Sequence, residues 1–318
     1  MELLNIPINL NKHMNSLKRD AIVVKALNRI PSPNFTPCEE NAKLISIVTI
    51  NNCNLNCSFC RGSITNIAEY SKFKVMSTLE FKDIVYKCLD SGIQYFDLTP
   101  AIGEPFLDKE FITKLQILED DERVLEYTVT SNILLINEDD ILKLSHFNKL
   151  IFDISLYGET VDEYLTNTKR DGYLRFLNQL EILYSNCANL KLRFIQRCNL
   201  TQSSILSNYI TTFRLNRNAN LVVNETYNVN RAGHIPTTSP LRKRTGICPY
   251  GPGSGGGIVT GGDVLFCPFH DLKRSGVMGN INHNSLTEIY NDTPWQTLLT
   301  NHTNNQYEGM CKGCDETW

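Results

Sequence analysis

Segments of strand length, rich in β-branched and apolar residues, alternate with segments of helical periodicity over the first two thirds of this 318-residue chain. Strands are predicted at 44–50, 95–98, 126–130, 150–155, 190–195 and 221–223, and helices begin near 77, 111, 139, 173 and 203. Strands joined by helical crossovers form a parallel sheet, and this number of strands suits a partial (β/α)6 barrel. The predicted fold class is therefore α/β, with functional groups at the carboxyl ends of the strands.

The amino-acid composition divides the chain into three parts. After about residue 225, Gly, Pro, Asn and Cys dominate, and the strand–helix alternation stops. We predict an N-terminal extension at 1–44, the barrel at 45–228, and a small, loop-rich unit at 229–318 that is stabilised by bound metal. Within the barrel, Ser77-Thr78-Leu79-Glu80 predicts a capping box at the start of the first helix.

Charge and hydropathy exclude several classes of protein. Lys and Arg number 31 against 34 Asp and Glu, a net charge of −3, which argues against nucleic-acid binding. No apolar run reaches the length of a membrane span, and the first twelve residues carry no signal-peptide pattern. A reducing, cytoplasmic setting is expected. In that setting the eleven cysteines point to metal sites more than to disulfides.

Three of the cysteines share one short loop directly after the first predicted strand. Cys53, Cys57 and Cys60 form the pattern C-x-x-x-C-x-x-C. Thiolates at such spacings hold iron–sulfur clusters, and three of them leave one iron of a cubane open to an outside ligand. A zinc loop short of one ligand, or free cysteines in a turn, are the alternatives.

A second set of four cysteines lies in the C-terminal part. Cys248 and Cys267 are followed, after a long gap, by the C-x-x-C of Cys311 and Cys314. Four thiolates can fully ligate a [4Fe–4S] cluster or a zinc ion. The spacing alone favours zinc.

The three-cysteine motif, in this position, resembles the signature of the radical S-adenosylmethionine (SAM) enzymes, and Phe59 before the last cysteine matches the family form. The resemblance implies that Cys53, Cys57 and Cys60 hold a [4Fe–4S] cluster whose open iron binds SAM. SAM is then cleaved to a 5′-deoxyadenosyl radical that abstracts hydrogen from an unactivated C–H bond. It also implies a reducing partner such as flavodoxin or ferredoxin.

Further family features follow at successive strand ends. Ile102-Gly103-Glu104-Pro105 resembles G-G-E-P, and Thr130-Ser131-Asn132 resembles T-N-G with Ile133 in place of the glycine. A carboxylate suits the ammonium group of SAM. The resemblance implies SAM-positioning roles, with Arg170 as the candidate near the SAM carboxylate and Arg193 as a candidate contact of SAM or substrate, for the following residues: Phe59, Gly103, Glu104, Asn132, Ser155, Arg170 and Arg193.

The C-terminal cysteines, taken behind such a core, resemble the SPASM and twitch auxiliary domains. The order Cys248, Gly262, Cys267 and then a late C-x-x-C is typical of them. Since no cysteine follows Cys314, one auxiliary [4Fe–4S] cluster is expected, as in the twitch form, rather than zinc. Fully ligated by four thiolates, this cluster is expected to carry electrons and not to bind substrate.

Three residues near the strand ends are candidate catalytic groups. Cys198 can return a hydrogen atom to a substrate radical, Glu225 can act as a base or anchor, and Arg197 can contact SAM or substrate. Structural roles are the alternatives for each. Among the remaining residues, Cys88 is predicted to be a core residue and His270 a surface histidine.

There are two hypotheses for the class of substrate. The resemblance allows a sugar- or cyclitol-like small molecule dehydrogenated to a ketone, which we favour slightly because the twitch spacing resembles that of a family member acting on an aminocyclitol. It also allows a ribosomally made peptide that is oxidised, crosslinked or epimerised. A non-catalytic zinc or iron–sulfur protein is the hypothesis from another class.

Overall fold

The computed structural model describes residues 44–57, 59–60, 74–100, 102–187, 190–197, 220–223, 245–248 and 250–314. Six parallel strands pair in chain order: β1 (Leu44–Val48), β2 (Tyr95–Asp97), β3 (Glu126–Ser131), β4 (Leu150–Leu156), β5 (Lys191–Gln196) and β6 (Asn220–Val223). The α/β class and the order of the parallel strands are confirmed. The predicted helix near 203 and the predicted boundary near 228 lie outside the described residues.

Helices join these strands: α1 (Thr78–Asp90), α2 (Phe111–Asp120), α3 (Glu138–Leu144), α4 (Val161–Thr168) and α5 (Tyr173–Asn186). The short helix α4 was not predicted, because it buries only two side chains, Tyr164 and Thr168, and so shows little apolar periodicity. Its signal was the capping pattern that starts at Thr160, whose side chain accepts the Glu163 N–H at 3.1 Å. Within the described part of the chain, no helix combines the length and apolar character needed to cross a membrane.

The main core lies between the helices and the outer face of the sheet. Phe96, Phe152 and Phe194 are fully buried there with the apolar side of α1, including Cys88 as predicted. Because successive strand residues point to opposite faces, polar side chains occupy the inner face. The inner-face residues that matter below are Thr128, Thr130, Asp153, Ser155 and Arg193.

The inner face has an apolar floor at the amino ends of the strands. Leu44, Tyr95 and Ile151 form a small cluster of their own there. Two residues further along β4 the face becomes polar at Asp153, which pairs in register with Arg193 of β5. The polar groups are thus concentrated toward the carboxyl ends, where the functional loops begin.

The C-terminal part extends the barrel sheet. It contains β7 (Gly257–Val259), β8 (Asp263–Leu265), β9 (Val277–Asn280), α6 (Leu286–Asn291), α7 (Thr293–Thr303) and α8 (Met310–Gly313). β7 pairs in parallel with β1, and β8 and β9 follow antiparallel. β7 thereby satisfies backbone groups that an open edge at β1 would expose. Gly256 leads into this hairpin at φ 71°, and a Cβ there would lie 2.2 Å from the Leu265 carbonyl oxygen.

The predicted capping box at the start of α1 is formed only in part. Ser77 Oγ accepts the Glu80 N–H at 3.1 Å, as expected. The Glu80 carboxylate instead accepts the Gly261 N–H of the β7–β8 turn at 2.6 Å. Lys87 of the same helix donates to Asn282 Oδ1 at 3.1 Å. Long-range hydrogen bonds have replaced the local one, so α1 is attached to the C-terminal hairpin.

A buried ion pair joins Asp108 to Lys114 on α2, and the lysine side chain is 0% exposed. Asp108→Ala is expected to lower the free energy of unfolding by about 3–5 kcal/mol, because it leaves a buried ammonium without its counter-charge. Chemical denaturation measures this. The control is Arg123→Ala, since Arg123 pairs with Asp90 and Asp121 at the surface and should contribute about 0–1 kcal/mol. Equal effects of both substitutions would contradict the buried pair's role.

Candidate functional site

The three-cysteine loop follows β1 at the carboxyl end of the sheet. Cys57 is buried, and Cys53 and Cys60 are partly buried. Burial, followed by the neighbouring Cys60 and Cys53, raises the pKa of Cys57, so the three thiols lie close enough to interact electrostatically. The Leu55 N–H lies 3.4 Å from Cys53 Sγ as a donor. The loop therefore gathers three sulfurs whose deprotonation a bound metal would favour.

Two neighbouring elements anchor this loop. Asn132, at the end of β3, donates through Nδ2 to Asn54 Oδ1 at 2.8 Å and lies 3.8 Å from Cys53 Sγ. On the other side, the Asn56 N–H donates to the carbonyl of Thr168, the last residue of α4, at 3.0 Å. The loop conformation is therefore set by the barrel and not by the cysteines alone.

Glu104, after β2, is 1% exposed and binds the end of β3. Its Oε1 accepts the Ser131 hydroxyl at 2.7 Å, and its Oε2 accepts the Asn132 N–H at 2.8 Å. Burial raises the pKa of Glu104 to about 7 against the effect of these hydrogen bonds. Oε1 also accepts the Phe106 N–H at 3.3 Å, so it is Oε2 that retains a further lone pair and can accept from an ammonium.

Two positions explain how the sequence fits and departs from the family pattern. Gly103 is required, because a Cβ there would lie 2.9 Å from both the Ile50 carbonyl oxygen and Pro100 Cβ. Ile133, where the family has glycine, takes the left-handed conformation at φ 58°. That conformation costs about 1–2 kcal/mol for a residue with a Cβ, and the complete burial of the Ile133 side chain offsets it.

An aromatic pair not foreseen from the sequence lies beside the loop. Phe59 stacks on Tyr157, with ring centroids 6.0 Å apart and planes 23° apart. Burial, then the Cys57 and Cys53 thiols, raises the pKa of Tyr157, while a hydrogen bond with Ser155 acts in the opposite direction. Ser155 and Tyr157 share one side of β4 and its extension by alternation, and that spacing was the available signal.

Arg193 of β5 and Arg197, directly after β5, have different surroundings. Arg193 forms a buried two-point ion pair with Asp153, Nε to Oδ1 at 2.5 Å and Nη2 to Oδ2 at 2.7 Å. Arg197 follows the strand, donates its backbone N–H to Leu156 at 2.8 Å, and lowers the pKa of Cys57 against the larger effect of burial. Arg197 is thus the arginine whose charge acts on the cysteine loop.

Three further residues predicted for the site are Arg170, Cys198 and Glu225, and the structure describes only the first of them. Arg170 is exposed, and its backbone N–H and carbonyl both bond the Thr168 hydroxyl, at 3.3 and 2.9 Å. Its position beside the loop is therefore fixed through the end of α4. Cys198 and Glu225 lie outside the described residues and remain predictions.

The four C-terminal cysteines form a second group of interacting thiols: Cys248, Cys267, Cys311 and Cys314. Burial raises the pKa of Cys267 to about 12, and the thiols of Cys314 and Cys311 add to the rise. Backbone N–H groups of His270 and Phe269 lower it by hydrogen bonding to the sulfur. The Tyr250 N–H does the same for Cys248. Such donors stabilise thiolate ligands of iron–sulfur clusters.

Two histidines lie in the same region. His270 is 6% exposed, so the expectation of a surface histidine is wrong; the turn that carries Cys267 folds it inward. His302 of α7 is buried, accepts the Cys248 N–H through Nδ1 at 3.3 Å, and packs edge-on against Tyr307 at 4.9 Å. His302 joins this region only through the fold, and no sequence spacing indicated it.

The two cysteine groups occupy separate positions along the sheet. Leu265 pairs with Gly257, which pairs with Ser46 in the middle of β1, and because β8 runs antiparallel to β7, Cys267 comes two residues further toward the amino end of β1. Cys53 follows the opposite, carboxyl end of β1. Since a strand rises about 3.3 Å per residue, the two groups are distinct sites and not parts of one.

Comparison with known families agrees with this arrangement. The model of the radical SAM superfamily matches residues 47–189, and that of the SPASM iron–sulfur cluster-binding domain matches residues 248–315. Both cysteine groups lie inside these ranges. No curated protein sequence matches the chain.

Several solved structures share the fold at low sequence identity. BtrN in complex with AdoMet and 2-DOIA superposes with a TM-score of 0.60 at 15% identity, covering 86% of this chain and 93% of that one. Streptococcus suis SuiB bound to precursor peptide SuiA gives 0.61 at 14%, covering 86% and 70%. Native anSMEcpe with bound AdoMet and Cp18Cys peptide gives 0.55 at 16%, covering 85% and 88%. With both domains matched in order, the chain carries a radical SAM domain followed by a SPASM iron–sulfur cluster-binding domain.

Proposed function

We propose that this radical SAM enzyme holds two [4Fe–4S] clusters and oxidises a sugar- or cyclitol-like alcohol to a ketone. Cys53, Cys57 and Cys60 would hold the SAM-cleaving cluster, and the four C-terminal cysteines the auxiliary one. The observation that carries the proposal is the three-thiol loop at the carboxyl end of β1, anchored by Asn132 on one side and by Thr168 on the other. The clusters, when bound, supply and accept the electrons of the reaction.

The chain's own residues would position SAM around this loop. Glu104 offers the remaining lone pair of Oε2 to an ammonium, and Arg197 offers a cation to a carboxylate. The Phe59–Tyr157 pair presents aromatic surface beside Ser155. Arg193 is assigned instead to the barrel wall, because Nε and Nη2 on one edge of its guanidinium both donate to Asp153.

The match of residues 248–315 to the SPASM iron–sulfur cluster-binding domain supports a cluster over zinc at the C-terminal site. Four thiolates can fully ligate such a cluster.

Affinity for SAM is expected to fall as the pH drops through about 7. Burial raises the pKa of Glu104 to about 7, so the carboxylate that attracts the ammonium becomes neutral below that value. SAM binds better when Glu104 is ionised. The affinity for SAM should therefore fall up to about tenfold from pH 8 to pH 6. Isothermal titration of SAM at both pH values measures this. Glu104→Gln should remove the difference; a wild-type affinity independent of pH would contradict it.

The inner face of the barrel favours a substrate rich in hydroxyl groups. Thr99 and Thr130 share a hydrogen bond at 2.8 Å, and Thr130 Oγ1 lies 3.5 Å from Asp153 Oδ2, beside the ion pair with Arg193. The Thr128 hydroxyl is buried without a hydrogen-bond partner among the described residues. Such a polar lining suits a sugar-like alcohol better than an apolar side chain. The similarity to BtrN bound to 2-DOIA supports the same class.

Peptide modification is the second candidate function. It is favoured by the similarity to SuiB and anSMEcpe, which were solved with bound peptides. Protein reconstituted without oxygen and reduced by dithionite, or by flavodoxin or ferredoxin, would be offered polyols, aminocyclitols and peptides in parallel. Loss of two hydrogens from an alcohol supports our proposal. A modified peptide with unchanged alcohols would favour the second candidate, and stoichiometric zinc without SAM turnover would indicate a non-catalytic protein.

A further inference from the structure

Tyr164 of α4 is fully buried, yet its hydroxyl has no hydrogen-bond partner among the described residues. Neighbouring hydroxyls are satisfied: Tyr173 donates to the Glu159 carbonyl at 2.5 Å and Thr168 to the Tyr164 carbonyl at 2.7 Å. A buried hydroxyl without a partner costs about 1–3 kcal/mol, and such groups usually have a partner outside the chain. Tyr164 therefore needs an acceptor that the described residues do not supply.

The helix that carries Tyr164 lies against the three-cysteine loop. One turn after Tyr164, the carbonyl of Thr168 accepts the Asn56 N–H at 3.0 Å. The Tyr164 ring packs edge-on against Tyr157, with centroids 6.1 Å apart and planes at 82°, and Tyr157 stacks on Phe59 of the same loop. The buried face of α4 thus packs toward the three-cysteine loop.

The electrostatic surroundings of the Tyr164 hydroxyl also indicate that it lies near the three-cysteine loop. After burial itself, the thiols of Cys57 and Cys53 raise the pKa of Tyr164 more than Glu104 does. The side chain has little freedom to turn away, because its ring also packs against Tyr173 and Phe176, with centroids 5.8 and 6.0 Å away. The acceptor is therefore to be sought on the cysteine side of the ring.

We propose that the Tyr164 hydroxyl donates a hydrogen bond to a sulfur of the cluster held by Cys53, Cys57 and Cys60, and so raises its reduction potential. The inference rests on the proposed function. Hydrogen bonds to the sulfurs are one of the means by which a protein sets the potential of an iron–sulfur cluster. Reduction adds negative charge to these sulfurs, so a donor stabilises the reduced form more than the oxidised one.

Tyr164→Phe removes only this hydroxyl. In the reconstituted full-length protein, a redox titration followed by electron paramagnetic resonance should show a more negative midpoint potential for the SAM-binding cluster, with unchanged iron content. Tyr173→Phe is the control, because the Tyr173 hydroxyl already donates to a backbone carbonyl, and it should leave the potential unchanged.

Three results would overturn the inference. The first is an unchanged potential in Tyr164→Phe at full iron content. The second is a weaker affinity for SAM at an unchanged potential, which would assign the hydroxyl to SAM. The third concerns the cluster-free protein, where Tyr164→Phe should be at least as stable as wild type; a clear loss of stability would reveal a partner within the chain. Failure of the wild-type protein to bind iron would instead refute the proposed function.

Discussion

Cys57→Ala is expected to abolish formation of 5′-deoxyadenosine and to remove about four irons per chain, while the auxiliary cluster retains its own four or so. Cys57 is the most buried of the three thiols in the loop, and the other two interact with it directly. With two ligands left, the cluster has no third protein anchor and is lost. Iron analysis and mass spectrometry of the SAM products after anaerobic reduction measure both effects.

Cys88→Ala is the matched control for this substitution. Cys88 is also a buried free cysteine, but it lies in the apolar core on α1, away from both cysteine groups. Its removal should cost about 1 kcal/mol of stability for the lost packing and leave iron and SAM cleavage unchanged. If Cys57→Ala and Cys88→Ala cleaved SAM equally well, the three-cysteine loop would not be the cluster site.

Replacing both Cys311 and Cys314 with alanine is expected to uncouple SAM cleavage from product formation. The C-terminal cysteines form a separate group near the amino end of β1, so their loss leaves the loop at its carboxyl end intact. 5′-Deoxyadenosine should still form, while the oxidised product falls by at least about a hundredfold because the electron of the substrate radical has no acceptor. The ratio of the two compounds in single-turnover assays measures the uncoupling.

Lys312→Ala tests the same turn without touching a thiol. Lys312 is exposed between the two cysteines and should leave both compounds at wild-type levels. An equal loss of 5′-deoxyadenosine and product in the double cysteine variant would show that the C-terminal site supports the whole fold and not electron transfer.

The parallel barrel was predictable because each of its strands and most of its helices carry a local signal. The apolar stripe Phe81, Ile84, Val85, Cys88 and Leu89 defined α1 by itself. The attachment of the C-terminal hairpin was not predictable in the same way. β7 has only three residues, and its pairing with β1 joins segments about two hundred positions apart, for which periodicity holds no information.

The site shows the same division between local and long-range information. The cysteine spacings lie within short segments and could be interpreted directly. Tyr157, Tyr164 and His302 enter the site through packing between elements, and each carried no more than a weak signal. The alternation along β5 predicts one side for Arg193 and Arg197, and it could not indicate that Arg193 forms an ion pair with Asp153.

The central claim is that the three-thiol loop carries a cluster able to cleave SAM. Its most direct test is mass spectrometry of wild-type protein that has been reconstituted without oxygen, reduced and incubated with SAM. The account predicts about eight irons per chain and 5′-deoxyadenosine that accumulates with time. Protein that carries its full iron and releases no 5′-deoxyadenosine, or that binds stoichiometric zinc in place of iron, would contradict it.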